Sequence, residues 1–295
     1  MAVVGCGTGA EPAPGPPPAR APARSPDRSD AGLDPRYQVS AARVRDRLER
    51  AGVGGFHIVV EPPFVVAGDE DAETVAMRSD RTVRWAVDRL KEAYFARDPE
   101  LVIEIWLFRD GASYRRNAMK LFGDQPSTPY GYYSSQAGAL IMDISTGGGT
   151  LVHEIVHPFV AANLPGCPDW FNEGLGSLYE QSSERAGQIV GLTNWRLAGL
   201  QEAIRAGRAP GLAELVATSE DQFYGARSGI YYAEARYLLY YLQEKGLLRR
   251  FYAALAAGIE KDPTGRAALV EILGRELDAF EPDWKKFVLA LRFDR

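Results

Sequence analysis

Up to about residue 182 the chain alternates short β-rich runs with helical patterns; beyond it, helical patterns dominate. Residues 37–51 set Val39, Ala42, Val44 and Leu48 among charges, an amphipathic helix that Gly52 ends. A β-rich run at 56–60 closes on Glu61-Pro62-Pro63, and 64–67 continues the same edge beyond the prolines. Residues 73–96 carry apolar positions at Val75, Val83, Val87, Leu90 and Tyr94, one long helix stopped by Asp98-Pro99. LVIEIWLF at 101–108 reads as a strand from its β-branched and aromatic content, and 112–122 as a short helix. Strands at 130–134 and 139–144 are joined through Ser135-Gln136-Ala137-Gly138. Gly147, Gly148 and Gly149 then let the backbone turn into a helix holding His153 and His157, and a second helix covers 169–181. Residues 195–206, 212–218, 230–244, 247–258, 264–275 and 282–291 all read as helices. The pattern predicts an α+β protein, with an α/β lobe at 33–185 and a smaller all-helical lobe at 186–295.

Residues 1–32 stand apart. Between Glu11 and Pro26 seven of sixteen residues are Pro, and most others are Ala or Arg. Such a stretch cannot bury enough apolar surface to offset its ordering entropy, so it reads as an extended tether. Before it, Val3-Val4-Gly5-Cys6 resembles a bacterial lipobox, which implies a lipid anchor at Cys6 and an exported or envelope-tethered protein. Five residues before Cys6 are too few for the basic and apolar parts of an export signal, so that reading places the true start upstream. The alternative is a cytoplasmic protein with a disordered tail.

Composition narrows the function classes. The 295 residues are 46% hydrophobic and 25% charged, enough for a full core, and no run is apolar enough to cross a membrane. A net charge of -5 argues against a nucleic-acid binder that relies on bulk positive charge. Two cysteines, Cys6 and Cys167, cannot form a disulfide scaffold or a Cys-rich zinc site.

The sharpest chemistry lies in His153-Glu154-Ile155-Val156-His157. Residues four apart share a helix face, so both imidazoles can reach one metal ion, with Glu154 beside them to touch a water. Catalytic zinc takes three protein ligands and keeps one position open. The only other histidine, His57, lies in a distant alternating strand and reads as a strand polar residue. Glu173, in Asp169-Trp170-Phe171-Asn172-Glu173-Gly174-Leu175, is the better third ligand. Its sixteen-residue distance from His157 lets one helix finish and a second return antiparallel.

HEIVH and WFNEGL together resemble the gluzincin metallopeptidases, in particular the compact peptidase-MA-like proteins, and the order of elements follows them more loosely from Phe56 to about Leu255. The resemblance implies a thermolysin-like zincin fold with a mixed sheet, and one zinc per chain on His153, His157 and Glu173. It implies peptide or protein hydrolysis with Glu154 as general base, and a substrate-pairing edge strand at 139–144. It also implies a Tyr that stabilises the oxyanion from a helix some sixty residues after the Glu ligand; the register through Ala235, Leu238, Leu239 and Leu242 selects Tyr232, with Tyr231 as the alternative. The alternative for both is that they are packing aromatics in a Tyr-rich helix.

Two positions depart from the family pattern. Pro158 directly follows the second His and predicts a kink or loosening there. Ser177 stands where many relatives carry an acidic residue that orients a ligand His, with Glu180 or Asp143 as substitutes. Cys167 reads as a small loop residue, and Arg196 as a salt-bridge partner more than a substrate anchor. The rival to a peptidase is a non-catalytic, zinc-stabilised protein that grips an extended peptide on a sheet edge.

Overall fold

The computed structural model describes residues 34–293, an α+β fold; the tether and Cys6 lie outside the described residues. The chain forms two compact units, residues 34–88 with 98–154 and residues 89–97 with 155–293.

The first unit is built on a five-stranded mixed sheet of β1 (His57–Glu61), β2 (Phe64–Gly68), β3 (Ile103–Phe108), β4 (Gly131–Ser134) and β5 (Ala139–Asp143), in the order β1-β2-β3-β5-β4. β2, β3 and β5 run parallel, while β1 and β4 pair antiparallel at the two edges. Every residue of β2, β3 and β5 is buried, as expected of parallel strands covered on both faces. α1 (Pro35–Arg50) lays Tyr37, Ala41, Val44 and Leu48 on one face, against Val65, Ala67, Trp106 and Phe108. Next come α2 (Ala72–Arg78), a π-helical turn at Ser79–Arg84 and α3 (Trp85–Ala93). Val75 of α2 meets the sheet where a Cβ on Gly68 would lie 2.7 Å from its Cγ2. α4 (Gly111–Phe122), capped by the Asp110 carboxylate on Ser113 N at 2.7 Å, adds Tyr114, Ala118 and Leu121 to the cluster on the α1 face.

Two strand expectations change. Residues 64–67 do not extend the edge begun at 56–60: the chain reverses at Pro62-Pro63, and β2 pairs antiparallel with β1 and parallel with β3. Residues 139–144 do not form an edge either. β5 lies between β3 and β4, because the hairpin through 135–138 folds β4 onto its outer side. The free edge beside β5 is therefore β4, with Tyr133 44% exposed.

From β5 the chain passes through a 3-10 turn at Ile144–Thr146, where Asp143 Oδ1 accepts from Ser145 N at 3.0 Å. Gly147, at φ 104, makes the turn into α5 (Gly149–Asn163) that the glycine run predicts.

The second unit opens within α5 and contains α6 (Asp169–Tyr179), β6 (Ser182–Arg185), β7 (Gln188–Gly191), α7 (Arg196–Arg205), α8 (Leu212–Val216), α9 (Glu220–Phe223), α10 (Ser228–Glu244), α11 (Leu248–Gly258), α12 (Arg266–Leu273) and α13 (Leu277–Ala290). It is not all-helical, because β6 and β7 form an antiparallel hairpin. Segment 155–185 sorts with the later helices instead of the sheet because α6 packs on α10. A Cβ on Gly174 would lie 3.1 Å from Ala235 Cβ, and the buried Arg236 guanidinium donates to Leu178 O at 2.9 Å. The same guanidinium also donates to Leu192 O, and the Gln243 amide clasps Gly191 on both its N–H (2.7 Å) and its carbonyl (2.9 Å). Residues 89–97 join this unit through Tyr94, whose hydroxyl meets that of Tyr179 at 2.7 Å, and through Phe95 stacked on Phe159 at 5.6 Å.

Gly191 tests this packing directly. A Cβ there would meet Leu178 Cδ1 at 2.4 Å and Leu178 O at 2.6 Å. Gly191→Ala is expected to cost about 1–3 kcal/mol through forced backbone movement, read as a lowered urea midpoint.

Candidate metal centre

α5 carries the first three residues of the centre. His153 is buried, Glu154 and His157 are half-buried, and one donor atom from each lies within 4.8 Å of the other two. The one-turn spacing places both imidazoles on one side of the helix. Pro158 does not end α5, which stays helical to Asn163. Ile155, Val156, Phe159, Val160 and Leu164 are all buried, so packing on both sides of Pro158 holds the turn that its ring would loosen. Asn163 closes the helix, its amide nitrogen donating to Phe159 O at 2.9 Å and Arg97 O at 2.8 Å.

α6 brings up the residues that face His157. Asn172 Oδ1 lies 2.9 Å from His157 Nδ1, and Glu173 Oε2 lies 3.8 Å from His157 Nε2. With Asn172 Oδ1 as acceptor, Nδ1 carries the proton and the Nε2 lone pair is directed toward the Glu173 carboxylate. A distance of 3.8 Å exceeds a hydrogen bond, but it suits two donor atoms that share a cation, each about 2.0–2.2 Å from it. Glu173 is buried, and its Oε1 accepts the Tyr224 hydroxyl at 2.9 Å. That hydroxyl also lies 3.4 Å from Asp169 Oδ1. Burial, and then the charges of Glu173 and Asp169, push the Tyr224 phenol far above its ordinary range, so it stays a donor. Burial also raises the Asp169 carboxyl, with Glu220 and Glu173 adding to it.

The other sequence candidates fall elsewhere. Tyr232 is buried with its ring 5.1 Å from that of Phe223, and the Arg196 guanidinium lies 5.3 Å over its face. Tyr231 donates to Glu214 at 2.8 Å. Ser177 is fully buried, and its hydroxyl has no hydrogen-bond partner among the described residues, so it orients neither imidazole. Glu180 is held by Arg196 at 2.9 Å, which bears out the salt-bridge reading of that arginine, and Asp143 holds the Ser145 hydroxyl at 2.6 Å. His57 is exposed on the outer strand β1. The Cys167 thiol is half-buried and donates weakly to Pro168 O at 3.5 Å; burial pushes its pKa well up, which disfavours a thiolate.

Sequence reasoning missed two residues. Asn172 stands inside the quoted motif, immediately before Glu173, and its short amide on an inward helix face was the available signal. Tyr224 gave none, since it follows a four-residue helix with no periodic pattern.

The chain matches no protein-family model, and no curated protein matches it. No helix among the described residues is long and apolar enough to cross a membrane.

Proposed function

We propose that the protein is a zinc-dependent metallopeptidase of the gluzincin type, its catalytic fold a zincin fold, with His153, His157 and Glu173 as ligands and Glu154 as general base. The observation that carries this reading is His157, whose Nδ1 is engaged by Asn172 while its Nε2 faces the Glu173 carboxylate. His153, Glu154 and His157 bring donor atoms within 4.8 Å of one another, and Glu173 faces His157 from α6; two imidazoles with a downstream carboxylate as third ligand is the donor set expected of a catalytic zinc site. Zinc, when bound, would lower the pKa of a coordinated water and polarise the scissile carbonyl.

The chain's own residues supply the remainder. Glu154 accepts the proton of the attacking water and hands it to the leaving amine. Asn172 fixes the tautomer and orientation of His157, the work that an acidic residue at position 177 does in relatives. Tyr224 holds Glu173 Oε1 and leaves Oε2 toward His157. Tyr232 remains the proposed oxyanion donor on the strength of the family register alone. A peptide or protein is the proposed substrate, and an envelope location through Cys6 remains a proposal of the sequence motif.

Removing either orienting residue should weaken zinc and spare the fold. Asn172→Ala and Tyr224→Phe are each expected to lower zinc affinity about 10–100-fold, measured by competition with a chromophoric chelator. Unchanged affinity in both variants would remove the orienting roles. The function itself is tested by hydrolysis of a peptide panel, with and without chelator. Activity that disappears with chelator and returns with zinc supports the reading; hydrolysis indifferent to chelator overturns it.

A further inference from the structure

A second polar site lies in the first unit, at the carboxyl ends of the parallel strands β2 and β3. It is a cavity of about 230 Å³ lined by Gly54, Gly55, Phe56, Asp69, Arg109, Arg116, Asn117 and Lys120 among others. Asp69 directly follows β2 and Arg109 directly follows β3. Crevices outside the carboxyl ends of parallel strands are where open α/β sheets hold ligands.

The charges in this cavity do not cancel. Asp69 is buried, and both of its oxygens are already used: Oδ1 accepts the Arg109 backbone N–H at 2.6 Å, and Oδ2 accepts the Ser113 hydroxyl. The Arg109 side chain has the exposed Asp110 at 3.5 Å. Arg116 and Lys120, one turn apart on α4, make no ion pair or hydrogen bond among the described residues. Against the single negative charge of Asp69, the side chains of Arg109, Arg116 and Lys120 give the cavity lining a surplus of two positive charges. Between them on α4 sits Asn117, 5% exposed, its amide nitrogen donating to Ser113 Oγ at 2.8 Å.

The opposite wall adds backbone donors. Gly54 and Gly55, in the connection from α1 to β1, carry N–H groups without a partner among the described residues. Gly55 needs its glycine for φ 80, whereas Gly54 has no positive φ, and a Cβ there would meet nothing within 4 Å. Glycine without a packing or dihedral demand lets a ligand approach the backbone closely. Phe56 is half-buried, its ring set edge-on to Trp106 and Phe108 at 5.8 Å each, and it gives the cavity an apolar side.

We propose that this cavity binds the phosphate group of a small molecule. Donors arrive from α4, from the end of β3 and from the glycine loop, a three-sided arrangement that suits a tetrahedral oxyanion better than a planar carboxylate. The surplus of two charges matches a dianion. The volume exceeds that of a bare phosphate, and Phe56 gives an organic substituent a surface to lie on. The site is independent of the metal centre, and its proposal does not rest on the peptidase reading.

The test is calorimetric titration of the full chain with inorganic phosphate, phenyl phosphate and benzoate at constant ionic strength set with chloride. Saturable one-to-one binding of a phosphate compound, tighter than benzoate, is the expected result. Tighter phenyl phosphate assigns a monoester as the ligand; tighter inorganic phosphate assigns the free ion. The double variant Arg116→Gln, Lys120→Gln should weaken binding at least about tenfold, while Arg115→Gln, which removes one positive charge from the same helix outside the cavity lining, should not. Both variants alter exposed side chains, and thermal unfolding verifies that they fold. No saturable binding beyond chloride, or equal loss in the double variant and in Arg115→Gln, would overturn the proposal.

Discussion

Glu154→Gln is expected to lower kcat/KM on any cleaved peptide by about 10²–10⁴-fold while leaving the metal content unchanged. The substitution keeps the shape of the side chain and removes only its capacity to take a proton. Glu154 lies in the His153–His157 group, on the helical turn between the two imidazoles, and neither ligand contact that α6 makes to His157 passes through it. Affinity for the substrate peptide should therefore survive in the variant. A zinc-stabilised peptide binder would respond differently, because its peptide affinity would be the whole of its function and Glu154→Gln would change little. The measurement pairs hydrolysis rates with elemental analysis of the same preparations. Loss of both rate and metal would reassign Glu154 as a ligand. Loss of neither would leave the binding reading.

The second large effect concerns stability and comes from Glu234. This α10 carboxyl is fully buried; Oε1 accepts Gly211 N at 3.2 Å, and Oε2 has no hydrogen-bond partner among the described residues. Burial pushes its pKa from 4.5 up to about 8; the Gly211 N–H opposes the shift, Glu281 and Glu214 add to it, and Lys285 offsets part of it. Below pH 4.5 the group is protonated whether the chain is folded or not, and nothing is lost. Between pH 4.5 and 8 the unfolded chain gives up this proton while the folded chain keeps it, so stability falls as pH rises, and above 8 the loss is complete. Glu234→Gln removes the titration. Its gain over the wild type should be near zero at pH 4.5, grow through pH 8, and reach about 2–5 kcal/mol. Urea midpoints at three pH values across that window measure it. Parallel profiles for the two proteins would contradict the assignment.

Much of the first unit and the opening of the second was legible because their signals are local and strong. LVIEIWLF became β3, the run around Leu140 became β5, and the HEIVH and WFNEGL segments became α5 and α6. The order of the strands was not legible, since 139–144 reads the same at an edge as between two neighbours; only the pairing of β4 decides it. The reversal at Pro62-Pro63 was hidden for a related reason: the same residues can interrupt a strand or turn it. The β6–β7 hairpin escaped because Ser182, Ser183, Glu184 and Arg185 show no apolar alternation. Its turn is Ala186-Gly187, both at positive φ, not the Asn-Gly or Asp-Gly pair that advertises such turns. In the candidate site the four-residue spacing brought His153, Glu154 and His157 into one group, and α6 turns Glu173 toward His157, but no spacing pointed to Tyr224. A side chain that reaches Glu173 from fifty-one residues away is a fact of tertiary packing, which no local pattern encodes.

Zinc stoichiometry tests the account most directly. Elemental mass spectrometry on the purified full chain, after zinc loading and removal of excess metal, should give about one zinc per chain. Glu173→Ala should lose it with the fold intact by circular dichroism, because the substitution removes the carboxylate that faces His157 Nε2. A folded wild-type chain that retains no zinc, or a Glu173→Ala variant that retains it fully, would contradict the three-ligand centre and the peptidase built on it.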